Sequence, residues 1–301
     1  MVSSRQQQQP RLRLALLGPP QVSLDGVQLP YIKSRKGMAM LAYLAVTGRP
    51  QARSRLAGLF WGYLSNAAAA NNLRVVIHRL KKHLPGYLII TRTTVAFDRE
   101  SDYWLDVEQI AKVCDHPPNT EEDIRRLEEA ISLYRGEFMD GFFLDDCPEF
   151  EHWLLMERER WQRTVLRCFR HLIGGETGRG EYKSAISHAR RMLDIAPWYE
   201  EGHRQLMRLL AITGRRSAAL TQYYRCRHAL AADLGVVPDE QTELLRRHII
   251  QESKDVSSAE LFPALTVPER QEDVDSPIST VRYHLLEELT QATERAWQEY
   301  L

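Results

Sequence analysis

A chain of 301 residues, 44% hydrophobic and 27% charged, is long enough for two domains, because single cores usually stop growing at about 100–200 residues, and two separate cores are the starting expectation. No apolar run reaches the roughly 18 residues needed to cross a bilayer, which excludes a membrane protein. The four cysteines Cys114, Cys147, Cys168 and Cys226 stand singly, without CxxC spacing or clustered histidines, so buried free thiols are expected rather than a zinc site or a disulfide framework.

The zero net charge hides an asymmetry. Residues 1–100 hold 15 Lys+Arg against 3 Asp+Glu, and the remainder 25 against 37, so the two parts carry +12 and −12. A compact basic segment draws polyanions and releases counterions on meeting phosphates, while its acidic companion repels them. Charge alone divides the chain into a nucleic-acid part and another part.

In chain order, residues 1–10, with the glutamine run Gln6 to Gln9, lack the apolar stretch of a secretory signal and read as a disordered tail of a cytoplasmic protein. Arg11 to Leu17 alternates basic and apolar residues, then turns at Gly18-Pro19-Pro20 into Gln21 to Leu24 and again at Asp25-Gly26, the pattern of short antiparallel strands. After Pro30 the period becomes helical, with Met38, Leu41, Ala42 and Ala45 on one face of a helix from about Ser34 to Val46. A short second helix starts near Ser54 as N-cap, turns Leu56, Leu59 and Phe60 inward, and carries Arg53 and Arg55 at its start. A third runs from about Asn66 to Leu84, between a Ser65 cap and Pro85-Gly86.

The faces of this third helix differ. Leu73, Ile77, Leu80 and Leu84 lie within about 40° of one line, while Asn71, Val75, His78 and Lys82 take the opposite side, with Asn72, Arg74, Arg79 and Lys81 beside them. Such a strip suits a major groove: asparagine pairs bidentately with adenine, arginine with guanine, valine touches a thymine methyl, and lysines neutralise phosphates. Beyond it, Tyr87 to Thr91 and Val95 to Phe97 flank Arg92-Thr93-Thr94 as a hairpin wing, whose Arg92 and Thr93 are candidate contacts to phosphate or a minor groove. A solvated helix face and a solvated turn are the plain alternatives.

These residues resemble the DNA-binding domain of bacterial SARP-type (antibiotic regulatory protein) activators, which is related to that of OmpR-type response regulators. LRLALLGPPQVSLDG, KSRKGMAMLAYLAV, SRLAGLFWG and NNLRVVIHRLKKHL follow that family's order of strands, first helix, second helix and recognition helix. Where relatives often place acidic residues after the serine cap, this chain has Asn66 followed by Ala67 to Ala70, which keeps helix propensity but drops the capping box. The resemblance implies a winged helix-turn-helix domain over 11–104.

From Glu121 onward the sequence is almost continuously helical, with breaks expected at Gly136, Gly141, Gly174-Gly175, Gly178 to Gly180, Pro197, Gly214 and Gly235. Gly180 and Gly214 lie 34 residues apart, as do Ala185 and Ala219, which is the tetratricopeptide period. SLYRGEFMDGFFLDDCPEFEHWLLMERERW and GRRSAALTQYYRCRHALAADLGVVP resemble the bacterial transcriptional activator domain, which sets 105–252 as an all-α, tetratricopeptide-like repeat domain. The resemblance implies dimerisation, communication with an attached sensory or ATPase domain, and contact with RNA polymerase. Asp145, Asp146, Glu149 and Glu151 have the composition of a metal or acid-base site but read better as carboxylates favouring a helix start. Residues 253–278 read as a linker, and Val281, Leu285, Leu289, Ala292, Ala296 and Tyr300 as one face of an amphipathic helix over 279–301.

The fold expected is therefore mainly α with a small β component, and the function a non-enzymatic, sequence-specific regulator of transcription. It would bind double-stranded DNA as a dimer on repeated sites, with no cofactor and no metal; without a GxxxxGK[ST] loop, ATP binding by this chain is not expected. An adaptor whose basic domain meets an acidic protein surface is the alternative.

Overall fold

The computed structural model describes residues 12–29, 34–114 and 117–251; the expected tail, linker and terminal amphipathic helix lie outside them. Alternation builds the first sheet. In β1 (Leu12–Ala15) Leu12 and Leu14 are buried while Arg13 faces out, with its guanidinium 3.6 Å from the ring centre of Trp104. β1 pairs antiparallel with β2 (Gln21–Leu24), Leu12 opposite Leu24, and β2 continues into β3 (Val27–Gln28). The sequence reading missed the fourth strand, β7 (Tyr103–Leu105), which joins β1 in parallel.

α1 (Arg35–Thr47) starts where the Ser34 hydroxyl accepts from the Gly37 amide and ends at Gly48, φ +64°. A side chain at Gly48 would collide with the Arg99 guanidinium, which donates to the Ala45 carbonyl at 3.0 Å and to Glu108 at 2.7 Å; the left-handed turn and the close approach both require glycine. α2 (Arg53–Trp61) begins one residue before the expected Ser54 cap, after Ala52, with no side-chain capping bond. Its start is fixed instead by β4 (Gln51–Ala52), which pairs with β6 (Thr94–Phe97); β6 in turn pairs with β5 (Leu88–Ile90). α3 (Asn66–His83) packs on α2 and α1, its N-cap the Ser65 hydroxyl, which accepts from the Ala68 amide.

Seven helices follow among the described residues: α4 (Asp106–Cys114), α5 (Glu121–Ser132), α6 (Pro148–Gly178), α7 (Tyr182–Ile195), α8 (Glu200–Ile212), α9 (Arg216–Asp233) and α10 (Glu240–Gln251). Successive members of α6 to α10 pack on one another. Gly180 and Gly214 take equivalent left-handed turns, φ +76° and +74°, before α7 and α9, and Ala185 and Ala219 are fully buried one turn into each helix. The 34-residue period is thus two helix pairs, α7–α8 and α9–α10, in tetratricopeptide fashion. Gly174-Gly175 does not break the chain, because both residues lie inside α6. A Cβ at Gly175 would stand 2.9 Å from Ile124 and Pro118, so this glycine lets α5 approach α6.

Two cores were expected, and one contiguous cluster of buried residues runs through both parts. Its joint is aromatic: Tyr43 of α1 meets Trp153 of α6 with ring centres 4.9 Å apart, Phe60 of α2 meets Phe150 at 5.3 Å, and Phe150 meets Trp153 at 5.3 Å. Aromatic pairs of this geometry add to the burial of their large apolar area. Beside them Lys36 donates to the Phe60 carbonyl and to Asp146, each at 2.7 Å, and the Cys147 thiol reaches the same carbonyl. Burial works against the charge on Lys36, but the hydrogen bond and charge of Asp146 outweigh it and leave its pKa raised. Burial pushes the Cys147 thiol up to about 12. Three members of the acidic cluster are thereby accounted for: Asp146 anchors the joint, Glu151 accepts from the Leu144 amide at 2.7 Å, and Glu149 sits with it in the first turn of α6.

The cysteine expectation needs correction. Cys147 and Cys226 are free and buried, but Cys114 and Cys168 form a disulfide with Cα atoms 5.2 Å apart. Their separation of 54 positions leaves no signature in spacing; the pairing comes from the packing of α4 on α6.

Candidate nucleic-acid interface

α3 divides as its sequence periodicity demands. Ala69, Leu73, Val76, Ile77 and Leu80 are buried, and Leu84 closes the apolar side just past the helix. Asn71, Arg74, Val75, His78, Arg79, Lys81 and Lys82 are all exposed, and Asn72 is half-buried at the margin. Val75 is the informative one: an apolar side chain 42% exposed in the middle of a polar strip has no role in the protein's own core. Within the strip the Arg74 guanidinium donates to the Asn71 side-chain oxygen at 3.1 Å.

The helix is electrically one-signed. Its first turn has no acidic residue, and its last carries His83 and the cations Lys81 and Lys82, which also suit the negative end of the helix dipole. At the other end, the amides of the first turn form a positive end to which Ser65 supplies one acceptor.

The wing stands next to the start of α2. Thr91 and Thr94 close its turn, the Thr91 hydroxyl accepting from the amides of Thr93 and Thr94 at 3.3 and 2.9 Å, and the Thr91 amide donating to the Thr94 carbonyl. Arg92 and Thr93 are exposed at the tip. Arg53 is half-buried: its amide donates to the Thr93 carbonyl at 2.9 Å and its guanidinium to the Thr91 carbonyl at 3.3 Å. It is better placed to hold the wing against α2 than to reach outward, while Arg55 is exposed. Sequence reasoning missed this brace and the part played by Thr91. The two-residue strand β4 that brings Arg53 to the wing is too short to give a periodic signal.

Chemically, the strip and the wing tip offer hydrogen-bond donors and acceptors, cations and one small apolar contact. Nothing in this set resembles a nucleophile held by a base. Among the described residues no helix is long and apolar enough to cross a membrane.

Comparisons with known proteins agree with the architecture. Residues 108–250 match the family model of the bacterial transcriptional activator domain. The chain is 25% identical over 260 residues to the transcriptional regulatory protein EmbR of Mycobacterium tuberculosis and of Mycobacterium bovis, covering 80% of this chain and 64% of each relative; it therefore spans less than two thirds of their length. Among solved structures, Mycobacterium tuberculosis EmbR in complex with a low affinity phosphopeptide superposes with a TM-score of 0.64 at 23% identity, over 82% of this chain and 67% of that one. The structural likeness concerns the fold.

Proposed function

We propose that this chain, a SARP-type regulator in which a winged helix precedes a bacterial transcriptional activator domain, reads double-stranded DNA through the exposed face of α3. The observation that carries the proposal is the strip Asn71, Arg74, Val75, His78 and Lys82, all exposed on a helix without an acidic residue in its first turn. Lys81, Lys82 and Arg79 supply phosphate contacts, which give affinity and register, and Asn71, Arg74 and Val75 supply contacts to base edges, which give sequence preference. Asn72 and His78 flank the base-reading residues. Arg92 and Thr93 at the wing tip, with Arg55 at the start of α2, contact the backbone on either side, and Arg53 keeps the wing in place.

Dimeric binding to repeated promoter sites, activation through RNA polymerase, action in the cytoplasm and an attached sensory or ATPase domain extend the proposal on the strength of the family likeness. The reading requires no catalytic residue. The experiment that tests it is selection of genomic DNA fragments bound by the chain, followed by footprinting. A discrete set of protected sites with a repeated element supports the proposal; recovery of fragments without any common sequence overturns it.

A further inference from the structure

Three helices of the activator domain bring Glu128, Glu176 and His188 together, with one ligand atom from each within 4.8 Å of the others. The placement follows from the fold. Gly175 lets Ile124 of α5 rest on α6, and one turn further along α5 the same face presents Glu128 beside Glu176, the residue after that glycine. The chain then turns at Gly180 and α7 returns, bringing His188 over the same point.

Glu176 is the telling residue. It is fully buried, and both of its carboxylate oxygens face the Nδ1 of His188, at 3.0 and 3.1 Å. Among the described residues that imidazole is its side-chain partner, and the joint of three helices gives it no lysine or arginine. His188 presents a single Nδ1 to two buried carboxylate oxygens and can satisfy only one of them with a proton. A dication at this point would be shared by the carboxylates and the imidazole. One imidazole and two carboxylates are a donor set of zinc and similar transition cations, and ligand atoms around a tetrahedral zinc stand about 3.3 Å apart for bonds of about 2.0–2.1 Å. The Glu176–His188 distances are close to that value already, and the exposed Glu128 carboxylate places an oxygen within 4.8 Å of both partners.

We propose that Glu128, Glu176 and His188 form a binding site for a divalent transition cation of the zinc type, which ties α5 to α6 and α7 and leaves one coordination position open to solvent. Glu128 and His188 lie 60 positions apart, and the three residues share no motif spacing, so nothing in the sequence pattern points to them and no metal was expected.

The test uses the full chain stripped with chelator and Zn2+ as the probe, titrated in competition with a chromophoric chelator. The wild type should take up one equivalent and unfold at a higher temperature with Zn2+ than without. Glu128→Gln, at an exposed position that should not disturb folding, should bind at least tenfold more weakly and lose the thermal shift; His188→Gln should do the same. A wild type that takes up no zinc overturns the proposal. So does a Glu128→Gln chain that binds as tightly as wild type, because the metal would then sit elsewhere, for example on Cys147 or Cys226.

Discussion

The Arg74 guanidinium donates a hydrogen bond to the Asn71 side-chain oxygen at 3.1 Å, one turn apart on the exposed face of α3. The two side chains proposed to read bases are thus paired with each other. A surface pair of this kind is worth only a fraction of a kcal/mol, so it orders both groups without barring them from a groove. Arg74→Ala and Asn71→Ala should each change which base is preferred at one position, by about 1–3 kcal/mol, and leave the thermal midpoint within a degree or two. Lys82→Ala should weaken all sequences alike and flatten the log-log salt dependence by about one unit. Parallel binding isotherms on a panel of single-base variants, at several salt concentrations, separate the two patterns.

The joint between the two parts depends on Lys36 more than on Asp146. Asp146 is about half exposed as a side chain, and its ion pair should contribute under about 1 kcal/mol. Lys36 also caps the Phe60 carbonyl at the end of α2 and lies over the rings of Trp61 and Tyr63 at 5.2 and 5.1 Å. Lys36→Ala should therefore cost about 1–2 kcal/mol and Asp146→Ala less, as read by urea unfolding. Equal losses would mean that the ion pair is the whole effect.

Adjacent glycines in α6 should respond with opposite sign. Gly174 faces open space and Gly175 faces Ile124 and Pro118 at 2.9 Å. Gly174→Ala should stabilise by about 0.5–1 kcal/mol through helix propensity, and Gly175→Ala should destabilise by about 1–3 kcal/mol through overpacking. Thermal unfolding of the two single variants decides the matter.

Asp106 makes stability depend on pH. Its carboxylate accepts from the Leu17 and Val107 amides, each at 2.8 Å, where β1 leads toward the helical part. Burial raises its pKa to about 6 against the pull of those bonds. A carboxyl with a raised folded pKa stabilises fully below its unfolded value, and that contribution is lost as pH rises through the folded one. Its share, about 3 kcal/mol by the size of the shift, should fade between about pH 4 and pH 6. The stability gap between wild type and Asp106→Ala should be wider at pH 4.5 than at pH 7.5; a gap that is constant or grows with pH contradicts this assignment.

Much of the fold was legible because it rests on local rules. The 3.6-residue period of α3, the Ser65 cap, the Arg92 turn and the 34-residue glycine spacing each act within one helix or hairpin, and the structure places them where the sequence pattern puts them. What escaped depends on partners distant in sequence. β7 is a strand because β1 accepts it, and Ser54 loses the cap because β4 is held by β6. Gly175 stays helical because α5 needs the space, and Cys114 finds Cys168 across two packed helices. The candidate strip was readable because exposure on a helix follows from phase alone. The restraint of the wing by Arg53 was not, since it rests on a contact 38 residues away.

The most direct measurement is fluorescence anisotropy of a duplex recovered by selection, titrated with the wild-type chain and with the chain carrying Asn71→Ala, Arg74→Ala, His78→Ala and Lys82→Ala together. All four positions are exposed, so the altered chain should keep its circular dichroism spectrum and thermal midpoint. The expected result is a loss of at least a hundredfold in affinity for the selected duplex, down to the level of an unrelated one. An altered chain that binds the selected duplex as tightly as wild type, with the same preference over unrelated DNA, contradicts the assignment of α3 as the reading helix.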